Sequence, residues 1–219
     1  MTNILRQVFF CFLSTTFVLT VQAQSAADNE YLAVVRERAY KIAAPLGISD
    51  SAKFYQLRDK IAKEYVDIKE IDDQKAAATA AVKAKKLEKA ETDAALKKIT
   101  DDSEAQRTAL NKNFVRSISE GLTAQQVEQV KDGLTYSVLP KTYQAHLDMI
   151  PSLKEEEKKY IYDALFEARE HAMAAGSSDA KHAWFGKYKG RINNYLAARG
   201  YNLTEERKGW DERRKARKP

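Results

Sequence analysis

The feature that most constrains this fold is a long segment without helix-breaking residues. Residues 48–120 contain no glycine and no proline, and large apolar side chains recur along much of the segment at spacings of three or four. A single helix of this length would extend about 110 Å at about 1.5 Å per residue. We therefore expect a long antiparallel helical hairpin that turns near residue 86, with residues 100–104 as the alternative turn.

The composition of the whole chain favours an all-α fold. Its 219 residues include only 8 glycines and 4 prolines, whereas alanine, lysine and glutamate, which favour helices, are plentiful. After Gly121 the pattern changes to shorter amphipathic segments that begin with capping residues. We expect residues 121–219 to form a compact C-terminal helical bundle. Together with the hairpin at 48–120, it would complete a single all-helical domain over residues 24–219.

The N-terminal segment has the features of a secretory signal peptide. Arg6 precedes an apolar run from Val8 to about Val21, and Val21 and Ala23 fit the rule of small residues before a cleavage site. The run is short for a membrane span, and a buried N-terminal helix or an uncleaved anchor are the alternatives. We expect residues 1–23 to be removed near Ala23, which predicts a periplasmic or extracellular protein without stable membrane insertion.

The sequence carries no signature of a metal site or of a catalytic motif. Cys11 is the only cysteine and lies inside the apolar run, so the exported chain would contain no disulfide. The three histidines do not have metal-ligand spacing, and there is no GxSxG, P-loop or glycine-rich dinucleotide turn. We expect neither a metal nor a cofactor, although a tyrosine or histidine could still serve as an acid or base.

The charge of the chain is only mildly basic. The net charge is +6, and acidic and basic residues are interspersed, as on solvated helix faces. The basic excess gathers in "RKGWDERRKARKP" at the C-terminus, where a solvated helix end or contact with acidic glycans or anionic membranes are the alternatives. An exported protein is not expected to bind nucleic acid, and the sequence does not predict an oligomeric state.

One helical stretch, "HAWFGKYKGRINNYLAARGYNL" at residues 182–203, has an unusual composition. Gly186 and Gly190 each cost roughly 1 kcal/mol relative to alanine in a helix interior. We expect them to let a neighbouring helix pack closely, or to admit a ligand. A second stripe combines aromatic rings with polar groups and could bind a sugar, which has an apolar C–H face and a rim of hydroxyls; a polar-aromatic core seam is the alternative. The candidate ligand-binding residues are Trp184, Lys187, Tyr188, Arg191, Asn194 and Tyr195, with Tyr136, Tyr143 and His146 as neighbours.

Several motifs in the second half are specific to one family. "VKDGLTY", "LDMIP", "AGSS" and "WFGKYKGRINNYL" closely resemble the secreted bacterial domain-of-unknown-function family numbered 3826. The resemblance spans nearly the whole exported chain and implies export by a Gram-negative, glycan-degrading bacterium together with sugar binding. The short "LTAQQ" at residues 122–126 also matches the L-T-x-x-Q pattern of small periplasmic stress chaperones.

These observations favour an exported, non-catalytic carbohydrate-binding or glycan-handling accessory protein. The first alternative is a periplasmic helical chaperone or scaffold that would use the hairpin, and the second is a glycan-active enzyme without a readable motif. The carbohydrate hypothesis predicts that the rings of Trp184, Tyr188 and Tyr195 lie open to solvent.

Overall fold

A computed structural model describes residues 29–216. All of the regular secondary structure in this range is helical, which confirms the predicted all-α class. No helix in the described range has both the length and the apolar character that crossing a membrane requires. The predicted signal peptide at residues 1–23 lies outside the described residues.

The helices follow one another with short connections. In chain order they are α1 (29–43), a short 3-10 helix (Ala44–Leu46), α2 (Ser51–Ala84), α3 (Lys89–Ser119), α4 (Ala124–Leu134), α5 (Val138–Met149), α6 (Glu155–Met173), α7 (Ser178–Ala198) and α8 (Leu203–Ala216).

The chain divides into two compact units, and the boundary lies within α2, between Val66 and Asp67. In the first unit, the buried apolar residues of α1 recur every four residues at Val35, Ala39 and Ala43. Such a stripe buries one face of α1 and leaves the opposite face to solvent. The single domain expected over residues 24–219 stays a prediction.

Several helix ends lie where local side-chain chemistry predicts them. The Asp50 carboxylate accepts hydrogen bonds from the backbone in the first turn of α2. Thr123 and Gln126 form a capping box at the start of α4. Ser177 caps α7 by accepting the backbone N–H of Ala180 at 3.1 Å. These ends are predictable because a cap involves only residues within one turn.

The break between α2 and α3 lies at residues 85–88, close to the turn expected near residue 86. The alternative turn at residues 100–104 is wrong, because these residues are inside α3. They offer polar caps, but no glycine or proline interrupts the backbone hydrogen bonds there. The alanine-rich residues near the break are largely exposed.

A partly buried ion pair joins the second-unit part of α2 to α3 and also contacts the α6–α7 connection. Arg107 is buried, and its Nη1 donates a hydrogen bond to Asp72 Oδ1 at 2.7 Å. The Asp72 carboxylate lies so close to Gly176 that a Cβ added to Gly176 would overlap it. Glycine at this position therefore permits a contact that any side chain would prevent.

The core of the second unit is built along the packed faces of α6 and α7. Ile161 and Leu165 of α6, and Phe185 and Ile192 of α7, are buried in one apolar cluster. Small residues at Ala164, Ala168 and Ala172 lie on the buried face of α6 at intervals of four. Small side chains at this spacing let two helix axes approach closely. The interface between α6 and α7, which we call the seam, therefore determines which side chains of the two helices meet at its edges.

A buried arginine ties α4 to α6. Arg169 is only 1% exposed, and its guanidinium donates hydrogen bonds to Asp132 Oδ1 at 2.8 Å and to Glu128. It also contacts Glu170 at 3.2 Å, and Lys131 lies 3.3 Å from the same carboxylate. Burial alone would raise the pKa of Glu128, but the hydrogen bond and charge of Arg169 outweigh it and lower that pKa.

We expect Gly176→Ala to lower the free energy of unfolding by about 1–2 kcal/mol, because the new Cβ displaces the Asp72 carboxylate from Arg107. In an Asp72→Ala background the same change should cost much less, which a double-mutant cycle by chemical denaturation measures. Gly121→Ala is the matched control, since an added Cβ there meets no atom within 4 Å. Additive costs for Gly176→Ala and Asp72→Ala would contradict this account.

Arg169→Leu should lower the free energy of unfolding at pH 7 by about 2–3 kcal/mol, because Asp132 loses its cation and Glu128 keeps only Lys131. The exposed pair of Arg199 and Glu156 provides the control, and Arg199→Leu should cost below about 1 kcal/mol. Glu128 stabilises the fold fully above the ordinary carboxyl pKa of about 4.3, and this contribution disappears as pH falls through its lowered pKa. The stability difference between parent and Arg169→Leu should therefore narrow below about pH 4, and a constant difference would refute the assignment.

Candidate functional site

The predicted ligand stripe of α7 lies across the boundary between the core and the solvent. Tyr188 is buried at 2% exposure, and Trp184 and Tyr195 are half-buried. The polar members of the stripe, Lys187, Arg191 and Asn194, are exposed. The rings therefore do not form one open groove, and each has its own environment.

The indole of Trp184 is held by a stacking partner from α6. The His171 ring lies parallel to it, at an interplanar angle of 11° and a centroid separation of 4.3 Å. The Nζ atom of Lys187 lies 4.9 Å from the centroid of the indole. This arrangement fixes a half-exposed apolar ring beside a cation, so the ring needs little reordering to contact a ligand.

Tyr188 is the buried residue of this cluster. Its hydroxyl donates a 2.6 Å hydrogen bond to Glu167 Oε1, and the same oxygen lies 3.8 Å from His171 Nε2. Burial, together with the hydrogen bond to Glu167, raises the pKa of the Tyr188 phenol. The guanidinium of Arg191 lies 4.5 Å from the centroid of the same ring. Tyr188 is therefore a positioning residue, and its ring is not open to solvent.

Tyr195 belongs to a separate cluster further along α7. Its ring stacks on Tyr160 of α6 at a centroid separation of 3.7 Å and an angle of 12°. The Arg199 guanidinium lies 4.6 Å from the Tyr195 centroid and forms an ion pair with Glu156. Tyr195 thus packs across the α6–α7 seam and is half-buried there.

The three expected neighbours do not join the Trp184 cluster. Tyr136 is exposed and stacks on His182 at 5.1 Å. Tyr143 contacts the edge of Tyr162 at 5.5 Å. His146 is buried with its Nδ1 atom 2.8 Å from the carbonyl of Thr142, and burial lowers its pKa.

The close helix packing expected at Gly186 and Gly190 is wrong. Both glycines are exposed, and an added Cβ at either position would meet no atom within 4 Å. The stripe of small residues that they form therefore has no covering helix in the described part of the chain. We call this surface and its charged flanks the open face of α7, which comprises Gly186, Lys187, Lys189, Gly190, Arg191, Asn193 and Ala197.

The structure adds residues that were not among the predicted site residues. Glu167 and His171 of α6 complete the cluster around Trp184 and Tyr188, and their spacing of four on one helix was the available signal. Two further rings of α6, Tyr162 at 41% and Phe166 at 37% exposure, also lie on the surface. Their rings lie 6.4 Å apart at an angle of 29°.

The arrangement supports binding chemistry rather than metal chemistry. Among the described residues, no three or more His, Cys, Asp or Glu side chains are grouped so that they could hold a metal ion. What the α6–α7 face offers is an oriented indole, a hydrogen bond from a buried tyrosine to an exposed glutamate, and exposed cations. Fold and site together define an all-α bundle protein with a polar-aromatic face on its two central helices.

The chain belongs to the family described as "Protein of unknown function (DUF3826)", whose model matches residues 32–216. This match confirms the family that the motifs predict, and sugar binding stays a prediction. The curated proteins compared with the chain gave no match.

We expect Gly186→Ala and Gly190→Ala each to raise the free energy of unfolding by about 0.5–1 kcal/mol. An added Cβ meets no neighbouring atom at either position, so alanine brings its higher helix propensity without a clash. Thermal and chemical denaturation measure the change. A loss of stability at either position would indicate a covering contact that the structure does not contain.

Proposed function

We propose that this protein is an exported, non-catalytic carbohydrate-binding or glycan-handling accessory protein. The observation that supports this most is the half-buried indole of Trp184, which His171 holds in a fixed orientation beside exposed polar groups. A sugar ring would lie with its C–H face on the exposed part of the indole.

Polar groups for the sugar hydroxyls are exposed on the same helix as that ring. Lys187 and Arg191 supply cationic donors, and Asn194 supplies both a donor and an acceptor. Both cations already lie over aromatic rings, Lys187 over Trp184 and Arg191 over Tyr188. Because these contacts restrict the side chains before binding, a ligand would lose less conformational entropy in fixing them.

Export is part of the proposal and depends on the N-terminal sequence. A basic residue, an apolar run from Val8 to about Val21 and a small residue at Ala23 make up the pattern of a cleaved signal. The periplasm or the extracellular space is also where polymeric glycans meet a bacterial protein.

The alternative of a chaperone that binds unfolded chains with the predicted hairpin at residues 48–120 has less support. A holdase needs exposed apolar surface for unfolded chains. Within residues 48–120, the well-exposed large apolar side chains are Tyr55 at 49% and Leu87 at 40%. Neighbouring lysines pair with aspartates four residues away, as Lys89 does with Asp93, so this segment offers mainly a solvated charged surface.

Trp184→Ala should weaken glycan binding by at least about tenfold, because it removes the stacking ring. The measurement is isothermal titration calorimetry with the purified protein, using a ligand first identified on a glycan array. The matched control is Trp210→Ala on α8, where the other tryptophan is half-buried under the Arg214 guanidinium. If no glycan binds the parent protein, the proposed function is wrong; if Trp184→Ala binds normally, the proposed surface is wrong.

A further inference from the structure

The charge distribution on α7 differs from that on the other long helices. From Ala180 to Thr204 the chain contains no aspartate and no glutamate. Of the cations in this stretch, Lys181 is buried and donates a hydrogen bond to the Leu134 carbonyl at 3.0 Å, and Arg199 pairs with Glu156. The remaining cations are exposed on the open face of α7: Lys187, Lys189 and Arg191.

These three cations differ from several lysines of the other long helices, which have an acidic partner. On α2, α3 and α6, some lysines pair with an aspartate four residues along the helix, as in Lys69–Asp73, Lys97–Asp101 and Lys159–Asp163. Within residues 29–216, none of Lys187, Lys189 and Arg191 forms an ion pair. Lys187 and Arg191 are also like charges four residues apart, which destabilises a helix slightly.

The surface between the cations is low and nearly flat. Gly186, Gly190 and Asn193 are exposed and form a strip along the helix. Helical spacing places Lys187 and Arg191 on one side of this strip and Lys189 on the other. The strip of small residues sets only the shape of this face, while the unpaired charges indicate what it attracts. A polymer lying along the strip would bring its charged groups to cations on both sides.

We infer that the open face of α7 binds an acidic polysaccharide, whose carboxylate or sulfate groups pair with Lys187, Lys189 and Arg191 while one sugar ring contacts Trp184. This inference rests on the proposed carbohydrate-binding function and adds the class of glycan. Charge complementarity is the physical reason, because three exposed cations that form no ion pair within residues 29–216 favour an anionic partner.

A polysaccharide fits this face better than an anionic membrane does. A helix that lies on a membrane combines its cations with large apolar side chains that enter the lipid. The exposed positions between the cations of α7 are instead glycine, alanine and asparagine. They leave backbone and small polar groups accessible, which suits a hydroxyl-rich chain.

The first test compares polygalacturonate with its fully methyl-esterified form by isothermal titration calorimetry on the purified protein. The two polymers share a backbone and differ in charge, so the acidic form should bind at least about tenfold more tightly. A comparison of dextran sulfate with dextran tests sulfate groups in place of carboxylates.

The double variant Lys187→Gln/Arg191→Gln should weaken polygalacturonate binding about tenfold. The matched double variant Lys208→Gln/Lys215→Gln, at two exposed cations of α8, should change it less than about twofold.

A second variant separates binding from folding. Gly190→Gln keeps the net charge, favours the helix and meets no atom within 4 Å at its Cβ. We expect its thermal stability to equal or exceed that of the parent while its affinity for polygalacturonate falls several-fold, because the new side chain obstructs the strip. Unchanged affinity would place the polymer elsewhere and overturn the inference.

The outcomes distinguish this inference from the function on which it rests. Equal affinity for acidic and neutral polymers refutes the preference for charge and leaves carbohydrate binding intact. Failure of every glycan to bind refutes both. The protein could instead bind DNA, or vesicles of phosphatidylserine and phosphatidylcholine, and lose this binding in Lys187→Gln/Arg191→Gln. If it then binds acidic glycans no more tightly than neutral ones, the face binds another anion and the inference is overturned.

Discussion

The packing of α6 against α7 is the interaction on which the second unit and its candidate site depend. Buried alanines on α6 let the two helices approach, and apolar side chains such as Leu165 and Phe185 fill the seam. Three contacts of the site cross this seam, from His171 to Trp184, from Glu167 to Tyr188 and from Tyr160 to Tyr195. A shift of one helix by a single turn would break all three contacts together, so the register of the seam determines the geometry of the site.

The connection between the two helices helps to set this register. It contains Gly176, against which the Asp72 carboxylate packs while it accepts a hydrogen bond from Arg107. A side chain at position 176 would therefore disturb both the ion pair and the path of the connection. On the opposite side of α6, Arg169 holds α4 through Glu128 and Asp132. Because a buried cation is costly without its carboxylates, these contacts favour one packing arrangement over its neighbours.

Local features of the fold were predictable from the sequence, and features that depend on distant elements were not. The cap at Thr123 and the end of α7 before Gly200 follow from residues within one turn. The helical spacing also identified the stripe around Trp184. Spacing alone does not show which residues of a stripe are buried in the core and which are exposed to solvent. In this stripe Tyr188 is buried and Lys187 is exposed. The stacking partner His171 comes from another helix, which no pattern within α7 could indicate.

The error at Gly186 and Gly190 is informative for the same reason. A stripe of small residues on a helix favours close packing only if another element covers it, and no described element covers this one. Together the two glycines cost about 1–2 kcal/mol relative to alanine, a sizeable amount for a domain stabilised by about 5–15 kcal/mol. The unpaired charges of Lys187 and Arg191 add a further small cost on the same face. Within residues 29–216 no helix covers the two glycines and no carboxylate pairs with these cations, which supports the proposal that this surface binds a partner. An anionic glycan would reduce the repulsion and occupy the space that the glycines leave open.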